Sequence, residues 1–180
     1  MQSLDKFKCL HLVFWLGIAM CSIFKKESSQ WSNKKQTIRA KIVACHDGDT
    51  CKALHNSKKI TLRLLGIDAP ELAQEPVALS KASRERLRAL TVNKLCTLKI
   101  HGLDRYKRHL TEIHCSKNFV NKTLVEEGLA YAYPGLHQRG LDWAESAELE
   151  ARKKQLGIFQ GKALKQTPWE YRKNINKRTL

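Results

Sequence analysis

No Cys-x-x-Cys pair occurs in this 180-residue chain, and no combination of Cys and His has the spacing of a zinc site. Acidic residues are scarce: 17 Asp and Glu against 33 Lys and Arg, a formal net charge of +16. Such an excess can serve solubility alone. It also favours a polyanionic partner, either nucleic acid or an anionic membrane surface. Internal repeats and low-complexity tracts are absent, which excludes a repeat array. A mean hydropathy of −0.45 excludes a polytopic membrane protein. At 20.7 kDa the chain is too short for two ordinary domains with linkers. Its 42% hydrophobic content argues against wholesale disorder.

One long apolar run is present, at residues 9–24 (CLHLVFWLGIAMCSIF), between Lys6 and Lys8 on one side and Lys25 and Lys26 on the other. A basic start, this length and small residues at the end describe a secretory signal, with Ala19-Met20-Cys21 as a tolerable cleavage site. An uncleaved N-terminal anchor is the alternative, since the run is not far short of the ~20 residues that span a bilayer. A lipidated Cys21 is disfavoured by the large Met20 before it. Each reading exports the remainder, to the periplasm or outside the cell. Residues 25–36 (KKESSQWSNKKQ) read as a polar tether.

Export bears on the cysteines. Cys9 and Cys21 fall in the apolar run, leaving Cys45, Cys51, Cys96 and Cys115. Four cysteines in an oxidising compartment permit two disulfides in any of three pairings. Cys45 and Cys51 flank Gly48 symmetrically and can face each other across a hairpin. The competing reading makes all four small core residues. His46, His101, His109 and His114 read as strand-surface or core residues.

From residue 37 to 65 the pattern has period two. Ile38, Ala40, Ile42 and Ala44 alternate with Arg39, Lys41, Val43 and Cys45. A turn at Asp47-Gly48 precedes a short strand over residues 50–54, and a third strand covers 59–67. After Pro76 the period becomes helical, with Leu79, Ser83, Leu87 and Leu90 on one face. Strands return at residues 97–100 and 109–114. Asn121 is expected to cap a short helix ending at Gly128. Asp142 with Glu145 opens a last helix carrying Trp143, Ala147 and Ala151. Trp143 is read as core. Residues 161–180 read as a loosely held basic tail. About five strands with about three helices suggest an α+β domain, a small five-stranded OB-type barrel with the helices packed outside.

Three segments concentrate acids and arginines in an otherwise basic chain: Asp47-Gly48-Asp49-Thr50, the run from Arg63 to Glu71 (RLLGIDAPE), and Asp104-Arg105-Tyr106-Lys107-Arg108. Each alone has an ordinary reading as hairpin turn, strand exit or solvated loop. Together they suit phosphodiester hydrolysis. Carboxylates ligate a hard cation, which supplies charge without proton bookkeeping. Arginine's planar fork grips a phosphate through parallel charged hydrogen bonds.

In order and spacing these segments resemble the staphylococcal nuclease (thermonuclease) family. The resemblance covers roughly residues 37–160 as a nuclease domain. It extends to Asn121, Leu124-Val125, Gly128-Leu129-Ala130, Tyr131, Tyr133, Glu148, Ala151 and Leu156-Gly157-Ile158-Phe159. It implies that Asp49, Asp68 and the carbonyl of Ala69 hold one Ca²⁺, with Asp47 and Thr50 in support. It implies Glu71 as general base on water, and Arg63 and Arg108 on the scissile phosphate. Arg105, Tyr106, Tyr131 and Tyr133 would line the nucleotide pocket. Ala69 stands where Thr is familiar, which is harmless if only the carbonyl acts. Phe159 replaces a common Trp, and Lys107 stands where Gly is usual before the second arginine.

Two carboxylates and one carbonyl are fewer than the ~6–8 ligands Ca²⁺ takes, so the metal is expected to bind weakly until nucleotide is present. The expected partners are DNA and RNA with little sequence preference, with unpaired bases stacked on tyrosine. No small organic cofactor is expected, the chain reads as a monomer, and a membrane enters only through an uncleaved N-terminal segment. The alternatives are a nucleic-acid-binding barrel without catalysis and a membrane-surface protein. Neither needs Asp49, Asp68 and Glu71, since anionic side chains repel phosphate unless a metal intervenes.

Overall fold

The computed structural model describes residues 35–134, 141–161 and 164–178. The expected signal or anchor, and most of the tether, lie outside the described residues. Among the described residues no helix is long and apolar enough to cross a membrane.

Strand β1 (Gln36–Cys45) pairs antiparallel with β2 (Thr50–His55) on one side and β5 (Leu95–Leu103) on the other. Strand β3 (Lys58–Leu64) forms a hairpin with β2, and β6 (His109–Cys115) forms one with β5. The sheet closes where β3 runs parallel to β6, through Leu62 opposite His109, Arg63 opposite Leu110 and Leu64 opposite Thr111. The result is the closed five-stranded, OB-like α+β barrel expected, and closure leaves it no free edge between β3 and β6. Its interior follows the period of two: Ile60, Leu62 and Leu64 on β3 and Cys96, Leu98 and Ile100 on β5 are buried.

On β1 the alternation breaks. The register shifts between Ile42 and Ala44, so Ala44 is exposed and Cys45 is buried. The expected inward Ala44 is therefore corrected: one extra residue in the strand moves everything after it to the other face. This shift turns Cys45 toward Cys51, and the two form a disulfide with Cα atoms 3.9 Å apart. Cys96 and Cys115, on neighbouring strands, form the second. The third strand ends earlier than expected. The chain turns at Leu65-Gly66, and a short β4 (Ile67–Asp68) pairs with β8 (Tyr131–Ala132).

Among the described residues four α-helices pack outside the barrel, one more than the roughly three expected. Helix α1 (Val77–Thr91) buries Ser80, Ser83, Leu87, Leu90 and Thr91. Helix α2 (Val120–Glu126) follows the short β7 (Asn118–Phe119). Asn121 does not cap it. It lies inside the first turn, fully buried, and accepts from Ile113 N at 2.9 Å while donating to Leu65 O at 2.9 Å and Thr111 O at 3.0 Å. A buried amide must fill its hydrogen bonds, and here it fastens the helix to the barrel seam. Helix α3 (Asp142–Lys153) starts where expected, with Asp142 and Glu145 in its first turn and Arg152 and Lys153 in its last. This order complements the helix dipole. Its buried face is Ala144, Ala147 and Ala151. Trp143 packs against the cluster of Leu65, Leu141 and Ala144, as a core residue does.

The loosely held tail is the main correction. Residues 168–178 form helix α4 (Pro168–Arg178). Thr167 N and Oγ1 both reach Glu170 Oε2 at 2.8 Å, a capping arrangement with Pro at the first helical position. Trp169 lies edge-on to Tyr131 at 5.6 Å. Tyr171 donates to Ala73 O at 3.0 Å, and the buried Gln74 donates to Gln166 O at 2.7 Å. Apolar packing and these bonds hold the segment in spite of its positive charge.

Candidate active site

The closing seam of the barrel delivers the first functional side chains. Arg63 is the penultimate residue of β3, held by Nη1 on Leu64 O at 3.0 Å and Ile67 O at 2.9 Å. Its Nη2 meets Asp68 Oδ1 at 2.8 Å and Asp49 Oδ2 at 3.1 Å. The β1–β2 turn supplies Asp49, which the β2–β3 hairpin sets beside β3: Leu64 N donates to Asp49 O at 2.8 Å. Thr50 Oγ1 donates to Asp49 Oδ1 at 3.1 Å, and Ala69 N donates to Oδ2 at 2.9 Å. Asp47 Oδ1 accepts from Asp49 N at 3.0 Å and folds the turn. Gly48 sits against helix α1. A Cβ there would stand 2.6 Å from Ala69 Cβ and 2.9 Å from Ser83 Cβ, so the close approach requires glycine.

The charges are crowded. Burial and the Asp49 charge push the Asp47 carboxyl up to about 6, against the Asp49 and Thr50 amides and Arg63. Burial also raises Asp68, whose side chain is fully enclosed, against the hydrogen bond from Arg172 and the charge of Arg63.

Asp47, Asp49, Thr50, Arg63, Glu71, Arg105, Tyr106, Arg108 and Tyr133 all border one cleft of about 900 Å³. Asp68 and Ala69 are buried beneath it. Glu71 is two-thirds covered, its N donating to Gln74 Oε1 at 3.2 Å. The β5–β6 loop brings the third segment. Asp104 accepts from Tyr106 N at 2.8 Å, Arg108 N at 2.9 Å and Arg108 Nε at 2.7 Å. Burial works to raise Asp104, but these bonds outweigh it and hold the carboxyl below the ordinary range. Lys107 adopts φ 61°, the left-handed region. The familiar Gly there has its reason in that backbone, and Lys meets the same conformation. Tyr106 is 63% exposed, with the Arg105 and Arg108 guanidinium groups 4.8 and 5.3 Å from its ring centre.

Tyr131 is not in the cleft. It is 6% exposed, in a cluster with Ala151, Ile158 and Phe159, edge-on to Phe159. Its neighbour but one, Tyr133, is 44% exposed and faces the opening. Two residues that sequence reading missed are Gln74 and Arg172. Arg172, on α4, meets Asp68 Oδ2 at 2.7 Å, Asp68 Oδ1 at 3.1 Å and Glu71 Oε1 at 2.7 Å. Burial works against its charge, but the bonds to Asp68 and Glu71 outweigh it and raise the guanidinium further. Thr167-Pro168-Trp169-Glu170 was the available signal, a helix start at Pro168, four residues before Arg172.

Residues 61–161 match the family described as "Staphylococcal nuclease homologue". The chain belongs to the staphylococcal nuclease family. Over 144 residues it is 31% identical to a micrococcal nuclease of Shigella flexneri, covering 75% of this chain and 80% of that one. It is 31% identical over 150 residues to an uncharacterized endonuclease of Haemophilus influenzae, covering 82% and 80%. A staphylococcal-like nuclease of Arabidopsis thaliana is 33% identical over 120 residues, covering 66% of this chain. The match spans only about a third of that plant protein's length (35%). Within this family frame the donor set expected from the sequence, Asp49, Asp68 and the Ala69 carbonyl, offers only oxygen, which suits a hard cation. Among the described residues no three acidic, His or Cys side chains form a ready-made ligand cluster. A hard cation held by these oxygens would need further ligands from outside the protein.

Proposed function

We propose that the chain is an exported, Ca²⁺-dependent, sugar-nonspecific endonuclease that hydrolyses phosphodiester bonds of DNA and RNA. One observation supports this above the others. Three segments distant in sequence bring Asp49, Arg63, Glu71 and Arg108 to a single cleft. Asp49, Asp68 and the Ala69 carbonyl would hold the ion, with Thr50 and Asp47 fixing Asp49. The ion, when bound, supplies positive charge to the phosphate and to water. Glu71, partly open to the cleft, takes the proton from the attacking water. Arg108 engages Asp104 through Nε, which leaves its terminal amino groups for phosphate. Arg63 holds the two aspartates in register and meets the phosphate from beside them. Tyr106, Tyr133 and Arg105 receive the nucleotide, with bases stacking on the exposed rings.

Two disulfides support export. The +16 charge supports a polyanionic substrate read without regard to sequence. The catalytically inactive barrel is disfavoured by the buried acids Asp49 and Asp68 beside the cleft. The test is digestion of plasmid and of RNA by residues 25–180, with Ca²⁺ and with a chelator. Cleavage of both that the chelator stops is expected, and cleavage indifferent to the chelator overturns the metal mechanism.

A further inference from the structure

Arg172 reaches the acid cluster from the far end of the chain, 104 residues from Asp68 and 101 from Glu71. It lies beyond residues 61–161, the segment that matches the family. Its fork covers both oxygens of Asp68, Nη2 on Oδ2 at 2.7 Å and Nη1 on Oδ1 at 3.1 Å, and Nη1 also meets Glu71 Oε1 at 2.7 Å. Arg63 takes a further share of Oδ1 at 2.8 Å. No oxygen of Asp68 is left without a guanidinium. We infer that Arg172 is an internal cation that competes with a divalent metal for Asp68 while also occupying Glu71, and that helix α4 is thereby an autoinhibitory strap across the site. This rests on the proposed function, in which Asp68 holds the metal and Glu71 is the base on water beside it.

The physical argument is one of shared lone pairs. A Ca²⁺ ion draws its oxygens to about 2.3–2.6 Å. A guanidinium hydrogen-bonded in the plane of the same carboxylate occupies those directions and adds like-charge repulsion. Of the two arginines, Arg172 is the one able to yield. Its side chain is 39% exposed and can withdraw to solvent, whereas Arg63 is 13% exposed and tied to two backbone carbonyls. Helix α4 and the segment leading into it have further anchors in Tyr171, Trp169 and Gln166. The ion pairs of Arg172 with Asp68 and Glu71 add to these anchors, so its withdrawal loosens the docking of α4. Linkage then requires reciprocity: a docked helix weakens the metal by the factor by which metal weakens docking.

The test uses the full chain without nucleic acid. Ca²⁺ alone is titrated calorimetrically into the wild type, Arg172→Gln, Arg172→Lys, Asp49→Asn and Lys177→Gln. Amide exchange over residues 168–178 is followed with and without Ca²⁺. Arg172→Gln is expected to tighten Ca²⁺ about 5-fold or more. Arg172→Lys, which keeps the charge without the fork, should fall between. Lys177→Gln, an exposed change on the same helix, should shift affinity less than about 2-fold. Exchange over 168–178 in the wild type should rise on adding Ca²⁺. An affinity that both Arg172 variants leave unchanged or weaken, or exchange that Ca²⁺ does not raise, overturns the strap. Asp49→Asn separates the two readings. If it abolishes a Ca²⁺ affinity that Arg172 does not affect, the metal site stands and the strap falls. If neither the wild type nor Arg172→Gln takes Ca²⁺, both fall; a wild type that takes none while Arg172→Gln does is the strap at its strongest.

Discussion

Lys107 holds a left-handed backbone at φ 61° immediately before Arg108. A side chain in that region costs about 1–2 kcal/mol, and glycine escapes the clash while adding freedom to the unfolded chain. Lys107→Gly is therefore expected to stabilise by up to about 1 kcal/mol, whereas the branched Lys107→Val should destabilise, both read from the denaturant midpoint. Glu71→Gln removes the proposed proton acceptor and keeps the shape. It should lower kcat by about 10²–10⁴-fold while single-strand affinity changes far less, a split that separates chemistry from binding. Asn121→Leu strands Ile113 N, Leu65 O and Thr111 O in the interior. A loss of about 2–4 kcal/mol is expected in chemical unfolding. The residue was visible in sequence, but as a cap. Its side chain serves strands that approach only after the barrel closes.

At the scale of elements, the two disulfides sit where strand and turn must stay in register. Cys45–Cys51 brackets the turn that carries Asp47 and Asp49, with a sequence separation of 6, and Cys96–Cys115 ties β5 to β6 with a separation of 19. On loop-closure grounds they contribute about 2 and about 3 kcal/mol. Reduction should lower the unfolding temperature, and Cys45→Ser with Cys51→Ser should raise amide exchange in the Asp47–Thr50 turn. His109, buried in β6 at the closing seam, has its imidazole held below the ordinary 6.5 by that burial. The unfolded chain takes a proton that the folded chain refuses. Stability from this group is present above pH 6.5 and declines as pH falls toward the folded value. Denaturant midpoints against pH should show this limb, and His109→Gln should flatten it. Strand alternation, helix α1 and the start of α3 were readable because burial imposes their periods locally. Helix α4 was readable too, through Thr167-Pro168-Trp169-Glu170, but basic composition masked it.

Across the whole molecule, the charge of +16 has its consequence in binding. Affinity for single strands should fall linearly on a log–log plot against salt, with a slope of about −0.7 per phosphate neutralised, and should vary little among sequences of equal length. A curve insensitive to salt would contradict the electrostatic reading.

The three acidic and arginine-bearing segments, the alternation of β3 and β5 and the even set of four cysteines were settled by the order of residues alone. Short-range sterics and burial act on neighbours in the chain, so their marks are local. Three things waited on tertiary packing: that Tyr131 turns into the core while Tyr133 stays open, that Asn121 pins the seam, and that Arg172 crosses about a hundred residues of sequence to cover Asp68. Such long-range partners are chosen by which surfaces meet when the sheet closes and α4 docks. No local pattern encodes that meeting.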